Sequence, residues 1–265
     1  LHKSALRQCY DRALRSKVGM LTVSTRFIMT SFSEKALQPV LASMSLIIFP
    51  LAEVNEPCSK VASANGMFYL ISRDVYFHIG GHQDVKGLAV EDIGIGKRVK
   101  AAGLGLMFAN GWRVVSTHMY QGALETLAGW TRIISASLNY ELPAAVKYLV
   151  MHMLMSAPAF VFALWAYVPF AQEWFSDAWV LLPLAAVLGM CVVTPLYFRH
   201  MGIPPHYAVL MGIGQLSLVW VFLVIIKKIW RKDALQWRGT TYCANRYEPT
   251  RLDPVSCTEH PEGFC

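Results

Sequence analysis

Between residues 143 and 226 the chain carries two basic and two acidic residues in 84 positions. No other feature of the sequence restricts its fold as strongly. The four charges, Lys147, Glu173, Asp177 and Arg199, bracket three uncharged runs: 148–172, 178–198 and 200–226. About 20 apolar residues in helical form cross a bilayer core. Three membrane-spanning helices in succession are therefore expected. Pro158, Pro183 and Pro195 lie inside the runs, which helices packed in lipid tolerate because neighbours re-satisfy the freed backbone groups. Trp174, Trp179, Tyr197, Tyr207 and Trp230 stand near the run ends, as residues of interfacial belts do. A large buried helical core is the competing reading, and three such runs in close succession argue against it.

Orientation is less simple. The first connector carries Glu173 and Asp177; the second carries Arg199; the exit carries Lys227, Lys228, Arg231 and Lys232. An excess of base on the cytoplasmic side would place the second connector and the exit together. Three full spans cannot do so if residues 1–142 are also cytoplasmic. Either one segment is re-entrant or interfacial, or the rule is broken once. A fourth apolar run, 39–51, is too short to span. It is expected to lie in the interface beside the others or to be an ordinary core helix.

The flanks are charged. Residues 1–142 hold 15 basic and 10 acidic residues, and residues 227–265 hold seven and five. The division expected is thus a globular part (1–142), a membrane part (143–226) and a basic juxtamembrane segment with a disordered tail (227–265). Over the whole chain 55% of residues are hydrophobic and 15% charged, against about 25% charged in soluble domains. Disorder, a collagen-like fibre and a disulfide-stapled mini-protein are excluded as whole-chain readings. The net charge of +7 suits an anionic membrane surface beside the apolar runs, and no nucleic-acid partner is expected. Cys9, Cys58, Cys191, Cys243, Cys257 and Cys265 form no CxxC pair and no zinc-ligand spacing, which points to a reducing compartment. The first 20 residues contain five basic side chains and no apolar core of a signal peptide.

In the globular part, strands alternate with helices, so it is expected to be α/β. Residues 68–71 read as a strand and 72–79 as a helix closed by Gly80-Gly81. A loop over 81–89 leads to Val90-Glu91-Asp92 and a helix in which Ile95, Val99 and Ala102 share one face while Lys97, Arg98 and Lys100 point elsewhere. Gly103 ends it. Residues 104–109 and 112–116 read as strands of a hairpin around Asn110-Gly111. A second helix is expected over 122–138. Glu91 and Asp92 have two readings. Acids at a helix start meet the positive end of its dipole; an aspartate there could also act as a general base toward a substrate hydroxyl.

These elements, in this order, resemble the second half of a family 2 glycosyltransferase of the GT-A nucleotide-sugar fold. The likeness covers about 80 residues, 61–138. Ala64-Asn65-Gly66-Met67-Phe68, then Arg73-Asp74-Val75-Tyr76 and Ile79-Gly80-Gly81-His82, resemble the acceptor-side segment of that family. Val90-Glu91-Asp92 followed by Lys97-Arg98-Val99-Lys100-Ala101-Ala102-Gly103 is similar to its ED motif and the helix after it. Thr117-His118-Met119-Tyr120 and Gly129-Trp130-Thr131-Arg132 are similar to its membrane-anchored lipid-glycosylating members, of the ceramide-glucosyltransferase kind. Trp237-Arg238-Gly239-Thr240-Thr241-Tyr242 resembles their closing W-[KR]-G-x-x-Y signature. Ser31-Phe32-Ser33-Glu34-Lys35 and Gln38-Pro39 resemble the branch associated with hopanoid and carotenoid glycosylation.

The resemblance implies a membrane-bound, inverting hexosyl transfer from a nucleotide-sugar donor to a lipid hydroxyl, with the catalytic part on the cytoplasmic face. Asp92 would be the general base and Glu91 would orient the loop or bind acceptor. Gly66 would belong to the substrate-binding turn. Trp130 would be an aromatic wall against sugar or lipid, or an interfacial anchor. Arg132 and Arg238 would offset charge on the leaving diphosphate, or contact lipid headgroups. His118 would ligate a metal or phosphate, or make an ordinary hydrogen bond. Asp74 and Asp84 read as surface acids. Gly129-Trp130-Thr131-Arg132 stands where many members have Q-x-x-R-W; Gln is absent and Trp precedes Arg, which favours a single transfer over polymerisation. The family also implies Mg2+ or Mn2+ held by a D-x-D motif, and no D-x-D occurs in this sequence. The 60 residues before Val61 are basic and then apolar and show no strand-rich nucleotide-binding half. The chain is therefore expected to be a C-terminal piece, inactive alone. The competing functions are a non-catalytic membrane scaffold or transport-associated protein and a polysaccharide synthase fragment. Against transport, none of the three apolar runs contains an Asp, Glu, Lys or Arg that would mark a path.

Overall fold

The computed structural model describes residues 1–167, 177–233, 235–237 and 240–242. Two large apolar cores organise it, with a smaller cluster of Ala5, Cys9, Leu21, Val23 and Val115 between α1 (Ala5–Arg15) and a small mixed sheet. One large core lies beneath that sheet, and the other binds four helices together. The architecture is a mixed α/β unit followed by long helices.

The sheet has three strands in the order β3-β1-β4. Its central strand, β1 (Met20–Ser24), pairs antiparallel with β3 (Tyr69–Ile71) and parallel with β4 (Leu106–Asn110). No strand-rich segment is expected before Val61, yet the central strand of the sheet lies there. Met20, Leu21, Thr22 and Val23 are all buried, so β1 lacks the polar/apolar alternation that marks a half-exposed strand. It follows α1 (Ala5–Arg15), whose charged face dominates that stretch of sequence.

The hairpin expected around Asn110-Gly111 does not form. The amides of Val114 and Val115 both donate to the Gly111 carbonyl, closing a tight turn. Beyond it, β5 (Ser116–Thr117) pairs parallel with β2 (Arg26–Phe27). β1 offers β4 five register partners on a buried face, and Gly111 N–H continues that pairing onto the Ser24 carbonyl. Non-local pairing thus overrides the local turn signal.

Around the sheet the local signals hold. Helix α4 (Arg73–His78) starts at Ser72, whose hydroxyl accepts from the Val75 amide, and is followed by Gly80 at φ 78°. A 3-10 turn, Gly81–Val85, lies within the expected loop. Helix α5 (Glu91–Ala101) buries Ile95, Val99 and the following Ala102. Its basic residues do not all point to solvent. Arg98 is buried, donates from Nε to the Ile79 carbonyl at 2.6 Å, and pairs with Asp84. Lys100 Nζ donates to the carbonyls of Glu53, Val54 and Val61, two of them in α3 (Leu51–Asn55). The lysine supplies the donors that this short helix's terminal carbonyls lack.

The second core joins helices from distant parts of the chain. The apolar run 39–51 mostly belongs to α2 (Phe32–Ile48), which packs against α6 (Gly122–Ser137) and α9 (Met211–Arg231). α7 (Leu142–Tyr167) packs on α9 and on α8 (Asp177–His200). Leu37, Leu41, Met44, Ile134, Ala145, Leu218, Val221 and Phe222 form one cluster. The cores therefore do not divide at residue 142: α2 and α6 lie with the long helices. At the α2–α9 crossing a Cβ on Gly214 would stand 2.6 Å from the Ala36 carbonyl oxygen. Only a residue without one lets the two backbones approach so closely.

The segment Pro205–Arg231 has 27 residues, and its most apolar 18-residue window has a mean hydropathy of 2.5. It is long and apolar enough to cross a membrane, and among the described residues it alone meets that measure. A short hairpin of β6 (Leu235–Trp237) and β7 (Thr240–Tyr242) follows it.

Candidate functional site

The Glu91-Asp92 pair sits beside the C-terminal end of β1. Asn65 reaches that end twice: its amide donates to Thr22 Oγ1 and its side-chain amide to the Val23 carbonyl, both at 2.8 Å. The turn so anchored presents Gly66, whose N–H donates to Asp92 Oδ2 at 2.6 Å. A Cβ on Gly66 would lie 2.8 Å from that same oxygen, so the contact requires glycine. The other oxygen, Oδ1, accepts from the Ile93 amide at 2.8 Å. Asp92 thereby satisfies one free amide of the helix start, and the structural reading of this residue is correct as far as it goes.

Its electrostatics go further. Burial raises the Asp92 pKa above the ordinary aspartate value; the Ile93 and Gly66 amides partly offset this, and the Glu91 charge adds to the rise. The carboxylate is fixed in orientation, made more basic and still partly open to solvent. Glu91 beside it is exposed. Three residues outside the sequence-based expectation complete the surroundings. Tyr69 and Tyr76 hydroxyls contact the two ring nitrogens of His82, at 3.2 Å to Nε2 and 2.8 Å to Nδ1. Tyr69 has a raised pKa through burial and then through the negative charge of Asp92, Tyr76 and Glu91. Tyr76 and His82 both fall within the quoted acceptor-side motifs, but nothing in their spacing says they meet.

Arg132 joins this region from α6. Its guanidinium donates to the Ala89 carbonyl at 2.6 Å, holding the segment that leads into Glu91. The other expected site residues lie elsewhere. His118 Nε2 faces Glu34 Oε2 at 3.3 Å. Trp130 forms no open wall and no interfacial anchor: it is 4% exposed, with its indole N–H directed at Gln38 Oε1. Gly129 beside it is explained by packing, since a Cβ there would overlap the Tyr120 ring. The Tyr120 and Gly129 motifs are thus two sides of one contact. Asp74 and Asp84 are exposed, as expected, with Asp84 tied to Arg98. Arg238 and the tail cysteines lie outside the described residues.

Glu34 was not expected as a centre. It is 2% exposed and accepts from the Thr30 amide, the Ser31 hydroxyl and the Gly122 amide. Burial would raise its pKa, but the hydrogen bonds from Gly122, Thr30 and Ser31 bring it down to about 2. The signal for it was present: Ser31-x-x-Glu34 before an apolar run is a capping box, and Ser31 Oγ accepts from the Glu34 amide. Glu34 ties the starts of α2 and α6 to His118.

No protein-family model, curated protein or solved structure matches the chain.

Proposed function

We propose that this chain is the acceptor-side and membrane part of an inverting glycosyltransferase that acts on a lipid hydroxyl. Asp92 is its general base. The acceptor O–H proton passes to the Asp92 carboxylate while the acceptor oxygen bonds to the anomeric carbon. The bond from that carbon to the donor's diphosphate breaks with inversion. Glu91 and the Tyr69–His82–Tyr76 group border the acceptor. Arg132 positions the Glu91-Asp92 turn through Ala89.

The observation that carries this reading is the Asp92 carboxylate, oriented by two amides and made more basic by burial. A carboxylate with a raised pKa is a stronger base toward a substrate hydroxyl than an ordinary aspartate. Its place at the C-terminal end of β1 is also where ligands bind in α/β sheets. The divalent metal expected of the family finds no ligand set here: no group of three or more His, Cys, Asp or Glu is gathered among the described residues. No step is assigned to a metal.

The multi-pass membrane reading is supported by side-chain exposure. Leu154 on α7, Leu188 and Val192 on α8, and Leu216 and Leu223 on α9 all project outward at half exposure or more. Apolar surface on that scale needs a cover, and lipid supplies one that also suits a lipid acceptor.

The test is Asp92→Asn in the full-length protein, assayed in membranes with nucleotide-sugar donors. Sugar transfer should fall about 100- to 10,000-fold. Transfer at the parental rate would end the assignment of Asp92 as base. In the parental protein the acid limb of kcat/KM should lie above the ordinary aspartate range, in the direction of the raised pKa.

A further inference from the structure

A cleft with a cationic lining lies apart from the acidic pair Glu91-Asp92. A cleft of about 770 Å3 opens between the turn after β4 and the C-terminal end of α8, with Gln8 of α1 at its edge. Its walls include Asn110, Trp112, Arg113, Leu196, Arg199 and His200. No carboxylate lines it. Neither Arg113 nor Arg199 makes an ion pair among the described residues.

The walls are braced. The Arg113 guanidinium lies 5.0 Å from the centre of the Trp112 ring. Gly202 also lies close to that ring: a Cβ there would stand 2.7 Å from it. Asn110 connects the parts, accepting from the Trp112 amide and donating to the His200 carbonyl. Cations at the end of a helix usually complement its dipole, which accounts for Arg199. It does not account for Arg113, which comes from the β4–β5 turn and is brought to the same cleft by the fold.

An apolar stripe leads into the cleft. Leu181, Leu188, Val192 and Leu196 recur at helical spacing along α8, and each is about 60% exposed. Leu196 belongs both to the stripe and to the cleft wall. Two positive charges at the end of an exposed apolar stripe complement one chemistry: an anionic head joined to an acyl chain.

We propose that this cleft binds the phosphate of an anionic membrane phospholipid, with Arg113 and Arg199 on the phosphate oxygens and the acyl chain lying along Leu196 and Val192. The proposal rests on the membrane reading of α8 and is independent of Asp92.

The experiment uses the purified full chain in a neutral detergent and measures retention of phosphatidylglycerol against phosphatidylcholine by native mass spectrometry. The parental protein should prefer phosphatidylglycerol about thirtyfold, each arginine contributing about fivefold. Arg113→Gln with Arg199→Gln should abolish the preference, and Arg113→Lys with Arg199→Lys should keep most of it. If the glutamine pair does not fold, the parental preference must fall steeply with salt, as exposed charge contacts do. No preference in the parental protein, or one that survives the glutamine pair or high salt, overturns the proposal. So does displacement of the lipid by millimolar inorganic phosphate, which would make this a site for the free anion. Lipid retention is read without any sugar donor, so its failure and the failure of the transferase reading are separate results.

Discussion

The sheet core and the helical core solve the same packing problem against different surroundings. Beneath the sheet, Met20, Ile79, Ile95 and Val99 are fully buried. The outer side of that unit mixes charged residues with exposed apolar ones such as Leu6, Tyr10 and Phe77, and its elements are stitched by long-range ties, such as buried Arg98 to Ile79 and Asp84, and Lys100 to the end of α3. In the helical region the inner side is just as apolar, with Leu41, Val221, Phe222 and Ile225 buried. Its outer side is apolar too. Only 28% of the most apolar window of Pro205–Arg231 is buried inside the protein. The contrast teaches that what faces outward, and not how apolar the interior is, separates the two regions.

Four measurements break or sharpen this contrast. The largest effect is expected at Leu188, on the outer face of α8. Leu188→Arg should cost about 2.5–3.5 kcal/mol if lipid bathes that face. Phe77→Arg, on the exposed side of the sheet unit, should stay within about 0.5 kcal/mol. Thermal unfolding in lipid nanodiscs compares the two, and equal effects would erase the distinction.

Next comes Glu34. Its folded pKa is depressed to about 2, so its stabilisation is fully present above the unfolded value. It is lost as pH falls from about 4.5 toward 2. The loss is about 3 kcal/mol over that window. Glu34→Gln should flatten the acid limb of a melting-temperature profile, and an unchanged limb would show that Glu34 does not control it.

Gly129→Ala should cost about 1–3 kcal/mol through overpacking against Tyr120, and Tyr120→Ala in the same chain should relieve part of it. This change should loosen the helical core and leave the sheet unit's amide protection intact, which hydrogen exchange reads directly. The smallest effect is expected from Lys100→Met, about 1 kcal/mol, confined to protection of α3 and its neighbours.

Much of the candidate site could be read before any coordinates. Glu91 and Asp92 open a helix, Gly80 closes one and Gly66 lies in a turn, because caps and turns are decided within a few residues. That the Gly66 amide meets Asp92, 26 residues away, could not be read, because no local rule sets that distance. The same limit misplaced Trp130. Its neighbours in sequence suggested an interface, whereas Gln38, 92 residues distant, receives its indole N–H inside the core.

The sequence by itself determined the apolar runs, the starts and ends of α4, α5 and α6 and the position of the acidic pair, since periodicity and capping are properties of neighbouring residues. The tertiary structure alone decided that β1 is the central strand, that β4 joins it instead of folding back on itself, and that Arg113 and Arg199 line one cleft. Each of these depends on closing a long loop, and the entropy of that closure is offset only when burial and hydrogen bonding across the whole fold reward the pairing.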